Sequence, residues 1–125
     1  MRFLSTKAHG IIDYLVGLLL IAAPWIFGFA RGGIETWIFV IAGAGALLYS
    51  LLTNYELGAV KMIPMPVHLL LDAMSGIVLA ASPWLFGFSD YVYLPHLIFG
   101  LFEVGASLIT HKTPAYQSNP AMDRR

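Results

Sequence analysis

The chain has 125 residues, enough for one domain, and 58% are hydrophobic against 11% charged, far from the roughly 45–50% and about 25% of soluble globular domains. A formal net charge of zero, without a Lys/Arg cluster, excludes a nucleic-acid surface. The absence of cysteine excludes disulfides, thiolate catalysis and Cys-ligated zinc or iron–sulfur sites. So much apolar surface calls for lipid as its solvent.

The first predicted element spans residues 9–29. Arg2 and Lys7 precede an apolar run ending in Ala22-Ala23, as in a signal peptide. A second copy inside the chain rules that out, so both copies are read as retained membrane helices. His9 and Asp13 are four residues apart and share a helix face one turn apart. A carboxylate among apolar residues costs a few kcal/mol to insert, so it should face the bundle interior with a partner. Pro24 removes a backbone donor and releases the carbonyl of Leu20, so the helix must kink or end there. Trp25, Phe27 and Phe29 then suit an aromatic anchor, with Gly28 permitting the turn.

The second element covers residues 35–53. Gly43, Ala46, Ser50 and Thr53 form a small-residue stripe that allows close helix approach. A linker over residues 55–66 leads to the third element, residues 67–88, which repeats the first at an offset of 59. His68 matches His9, Asp72 matches Asp13, Gly76 matches Gly17, Pro83-Trp84 matches Pro24-Trp25, and Phe86-Gly87-Phe88 matches Phe27-Gly28-Phe29. The fourth element, residues 92–110, aligns with the second at an offset of 57, pairing Gly100 with Gly43, Ser107 with Ser50 and Thr110 with Thr53. On it His96, Glu103 and Thr110 recur every seven residues. Glu103 lies about midway along this span and faces Ala46 in the alignment, so this acid breaks the symmetry of the repeat. The polar stretch 112–125, with two prolines, is expected to be disordered.

The expected layout is therefore a cytoplasmic N-terminus (1–8), repeat one (9–54), a cytoplasmic linker (55–66), repeat two (67–111) and a cytoplasmic tail (112–125). Four spans put Arg2, Lys7, Lys61, Lys112, Arg124 and Arg125 on one side and only Arg31 on the other, which by the positive-inside rule places both termini in the cytoplasm. Each copy holds two spans, so the copies insert in the same direction, related by a pseudo-two-fold axis along the membrane normal. The fold class is an all-α, four-transmembrane-helix bundle.

Two copies of a two-helix unit carrying (Ser/Ala)-Pro-Trp resemble the SPW-repeat family of small bacterial integral membrane proteins. The resemblance covers residues 9–110. Ser82-Pro83-Trp84 matches the motif, whereas Ala23-Pro24-Trp25 departs at its first position. It implies a four-span bundle in the bacterial inner membrane and no established activity.

No nucleophile elbow, phosphate loop or glycosidase-type carboxylate pair is present, so a non-enzymatic bundle is expected, acting in structure, interaction or small-ligand binding. Its His9/Asp13 and His68/Asp72 pairs would serve as polar clasps, and Gly17, Gly76, Gly43 and Gly100 as packing points. The alternative is a metal, haem or proton-handling site built from those pairs with Glu103 and His96. A further alternative is lipid or quinone binding at the Pro-Trp segments. Expected partners are membrane lipid and another membrane protein or a second copy; no cofactor is expected, and the question of a metal stays open.

Overall fold

The computed structural model describes residues 2–114, so the expected disorder of the tail falls, for residues 115–125, outside the described residues. Four helices follow in order: α1 (Thr6–Ile26), α2 (Ile34–Leu51), α3 (Met65–Leu85) and α4 (Leu94–Ile109). Among the described residues there is no β-strand, and the chain is an all-α bundle. Helices α1, α2 and α3 are long and apolar enough to cross a membrane. Helix α4 has 16 residues and rises only about 24 Å. It is shorter than the 92–110 read from sequence because Pro95 sits in its first turn and Thr110 turns extended at its end.

The helix starts have local causes. Ser5 caps α1 by accepting from the Ala8 N–H at 3.0 Å, satisfying one of the donors a helix start leaves free. Helix α1 thus begins one turn before His9. The two proline motifs are helix stops. Pro24 and Pro83 fall in the last turns of α1 and α3, and the Phe29 and Phe88 N–H groups reach back to the Pro24 and Pro83 carbonyls at 2.9 and 2.8 Å. Between them Gly28 and Gly87 take φ of 74° and 76°, the left-handed conformation that closes a Schellman motif and that glycine adopts without a Cβ penalty. The rings of Phe29 and Phe88 are thereby folded into the interior, while Trp25 and Trp84 stay exposed.

Each hairpin is closed by a glycine pair. A Cβ on Gly43 would lie 2.5 Å from the Gly17 carbonyl oxygen, and one on Gly100 would lie 2.5 Å from the Gly76 carbonyl oxygen. The α1/α2 and α3/α4 backbones therefore touch at matched positions, as small-residue packing in lipid requires. Leu20, Ala23, Phe29, Phe39 and Leu79 fill the core toward the proline ends.

At the opposite end the repeats exchange their edges. Phe3 and Leu4 donate to the Ile109 carbonyl at 2.8 and 2.9 Å, and His111 returns a bond to Leu4 at 2.8 Å. Met62 and Ile63 donate to the Leu52 carbonyl at 2.9 and 2.7 Å, and Asn54 returns one to Ile63 at 2.7 Å. Adding 59 to the first partners and subtracting 57 from the second converts one set into the other. The segment leading into each repeat is held by the end of the other.

Candidate functional site

This crossed arrangement brings the two His-x3-Asp pairs face to face. His9 Nε2 lies 3.0 Å from Asp13 and 2.8 Å from Asp72, and His68 Nε2 lies 3.0 Å from Asp13 and 3.2 Å from Asp72. Each imidazole therefore meets its own aspartate and that of the other repeat. Both histidines and Asp72 are buried, and the two rings stand edge to face with centroids 5.4 Å apart. His68 Nε2 is buried at ion-pair distance from both carboxylates yet off the line a hydrogen bond needs. It faces the middle of the group rather than a single oxygen.

Hydroxyl groups hold all four side chains from behind. Thr110 Oγ1 donates to the Ala106 carbonyl at 2.6 Å, so its one hydrogen is spent, and it accepts from His9 Nδ1–H at 2.7 Å. Thr53 does the same between the Tyr49 carbonyl, at 2.6 Å, and His68 Nδ1–H, at 2.7 Å. With Nδ1 protonated by this count, Nε2 is the nitrogen presented to the centre. Asp13 accepts from Tyr55 Oη at 2.8 Å, and Asp72 accepts from Tyr49 Oη. Tyr55 lies in the connection between α2 and α3, where burial and the Asp13 carboxylate push its phenol well above its ordinary range, so it remains a donor.

The donor set suits a small divalent ion. One ligand atom from each of His9, Asp13, His68 and Asp72 can be chosen so that all lie within 4.8 Å of one another. A tetrahedral ion with N and O ligands at about 2.0–2.2 Å sets them roughly 3.3–3.6 Å apart, between the 2.8–3.2 Å of the four His–Asp contacts and the 4.8 Å that bounds the set, so binding would spread the short contacts and draw the widest pairs in. A cavity of about 20 Å³ beside the centre, lined by His9, Asp13, Ala46, Asp72 and Glu103 among others, has room for one water and none for a porphyrin.

The other sequence candidates are distributed along the bundle. Glu103 is buried against that cavity and accepts from Ser75 Oγ at 3.3 Å. His96 lies at the far end, where its Nε2 meets the Glu35 carbonyl at 2.9 Å among the rings of Phe29, Phe39 and Phe88. Leu20, Phe39 and Leu79 occupy the core at that end. Ser82 Oγ donates to the Leu79 carbonyl at 2.6 Å, the group Pro83 leaves without its helical partner; Ala23 offers no such hydroxyl to Leu20. A groove of about 360 Å³ between α2 and α3, lined by Ile41, Tyr49, Met74, Ser75 and Val78 among others, contains neither Pro-Trp segment.

Sequence reasoning missed Tyr49, Tyr55 and Ser75 as partners of the acids. Thr53 and Thr110 were visible as an aligned pair, Thr53 in the small-residue stripe and Thr110 in the row with His96 and Glu103. Their matched position at the end of the second helix of each repeat was the signal that the sequence held.

Comparison with curated proteins finds no match, and comparison with solved structures finds none. The model of the SPW repeat domain matches residues 7–110, which takes in the four helices except Thr6 and every residue of the centre, and the chain belongs to the SPW repeat domain family.

Proposed function

We propose that this multi-pass membrane protein is a non-enzymatic bundle that binds one divalent transition-metal ion at His9, Asp13, His68 and Asp72. One observation carries the reading: four ligand atoms converge across two repeats, and each side chain is oriented by its own hydroxyl partner. Buried ligands oriented from behind are what a metal centre needs. The same contacts can instead hold protons, with two imidazolium groups between two carboxylates, a clasp shared across the repeats where the sequence suggested one closed within each helix. In that state Nε2 carries the proton that metal binding replaces.

The pseudo-two-fold axis along the membrane normal is supported by the exchanged edges, and the two-repeat division (9–54 and 67–111) by the matched glycine contacts. A bacterial inner-membrane location with both termini cytoplasmic is supported by the basic residues: Arg2, Lys7, Lys61 and Lys112 belong to the end that carries the centre, and Arg31 to the other. Metal would then enter from the cytoplasm.

Chelator-stripped protein in detergent, titrated with zinc by calorimetry, is expected to take up one ion per chain and to melt higher when loaded. His68→Gln and Asp72→Asn should abolish uptake. A stripped wild-type protein that folds and takes up no zinc, cobalt(II) or manganese(II) would overturn the metal reading and leave the clasp.

A further inference from the structure

The metal reading leaves the small core cavity and Glu103 unused. The cavity touches three of the four ligand residues, His9, Asp13 and Asp72, and its other walls are Glu103 and apolar residues, Ala46, Val16 and Phe102 among them. Ala46 and Glu103 are the aligned positions of α2 and α4, so the space lies where the two hairpins meet, with a glutamate on one wall only. At about 20 Å³ it matches one water, which needs polar partners to stay.

The walls decide how such a water is held. Asp13, Asp72 and Glu103 are all among the lining residues, and a carboxylate oxygen accepts hydrogen bonds. A water there has acceptors for both its hydrogens and needs an electron-pair acceptor for its oxygen. A cation at the centre supplies one. Glu103 has the spare capacity: the Ser75 hydroxyl, 3.3 Å away, shares its single hydrogen with the Asp72 carbonyl at 3.2 Å, and Glu103 is otherwise buried beside the cavity.

We infer that the centre has a fifth coordination position, filled by a water in this cavity, and that Glu103 is the positioning residue that accepts the hydrogen bond from that water. The inference rests on the metal reading and deepens it. Four protein ligands alone make a closed site; a fifth, exchangeable position makes an open one. Such a site takes a small anion or a substrate oxygen in place of water, a property a sealed structural ion lacks. Because Ala46 stands opposite, the position opens toward one glutamate instead of two.

The full chain in detergent, stripped and loaded with cobalt(II), tests this. Wild type is expected to show the weak visible bands of five-coordinate cobalt. Ala46→Leu, which fills the cavity, should convert them to the stronger four-coordinate bands while one ion per chain still binds. Glu103→Met, which removes the acceptor, should keep the stoichiometry and weaken affinity by on the order of tenfold or more, and Glu103→Gln, which retains an acceptor oxygen, should recover part of the loss. Should Ala46→Leu fail to fold, isotopically labelled water on the manganese(II)-loaded wild type should broaden its resonance lines. Four-coordinate bands in wild type, or no broadening, overturn the fifth position. A Glu103→Met variant indistinguishable from wild type in bands and affinity overturns the role of Glu103. A chain that binds no ion fails earlier, at the metal reading itself.

Discussion

The serine that gives the repeat motif its first letter has a specific task at residue scale. Pro83 cannot donate to Leu79, and Ser82 fills that vacancy with its hydroxyl. Ser82→Ala should therefore lower stability by roughly 1–2 kcal/mol, the cost of a buried carbonyl left unpaired. The reciprocal change, Ala23→Ser, should raise it by up to about 1 kcal/mol, since α1 ends on the same backbone motif as α3. Thermal melting in detergent reads both. The threonines behind the histidines give a sharper test. Thr53→Val and Thr110→Val preserve shape but remove the acceptor of Nδ1–H, and each should weaken metal binding by about 10–100-fold in a competition titration. Neither hydroxyl was legible as a histidine partner from sequence, because Thr53 in a small-residue stripe looks like packing and Thr110 falls in a row with His96 and Glu103, until the opposite repeat's histidine is known to reach each.

At the scale of elements, the glycine pairs set the distance between helices and hence the breadth of the core. Gly43→Ala or Gly100→Ala pushes a methyl group to within 2.5 Å of a facing backbone oxygen. Each should cost about 1–3 kcal/mol, whereas Gly45→Ala, with open space at its Cβ, should be neutral or stabilising. Differential melting of the three variants checks it. The elements themselves were readable because apolar length and a repeated motif are local signals. Their boundaries were less so. Ser5 extends α1 before His9, and the Schellman turns end α1 and α3 before the last aromatic residue; the sequence left open whether those prolines kink or stop the helix. The convergence of the two His/Asp pairs stood in the sequence only as one of two alternatives, since it depends on which hairpin edge meets which.

That pairing is a property of the whole molecule. Each lead-in segment is fastened to the end of the other repeat, and at the opposite end of the bundle the Arg31 guanidinium lies 3.3 Å over the Tyr91 ring. Halves divided after Gly58 and co-expressed should accordingly assemble in the membrane and co-purify. His9→Ala in one half should reduce the recovered partner several-fold, because it leaves buried carboxylates without a counterpart. Orientation is checked by adding single cysteines to a chain whose described residues contain none. A cysteine at Ser5 should be labelled only by a membrane-permeant reagent, and one at Gly32 by an impermeant one.

The asymmetry of Glu103 and Ala46 says something about why the two repeats share one chain. A symmetric pair of separate subunits with this architecture would put two glutamates or two alanines at the positions of Glu103 and Ala46. Two glutamates would crowd four carboxylates, with Asp13 and Asp72, around a space the size of a water, and two alanines would leave the aspartates alone there. One chain holding both repeats separates the fates of the two copies. One helix carries a methyl group and the other a carboxylate, giving a single glutamate beside two aspartates, a stoichiometry that no homodimer can encode.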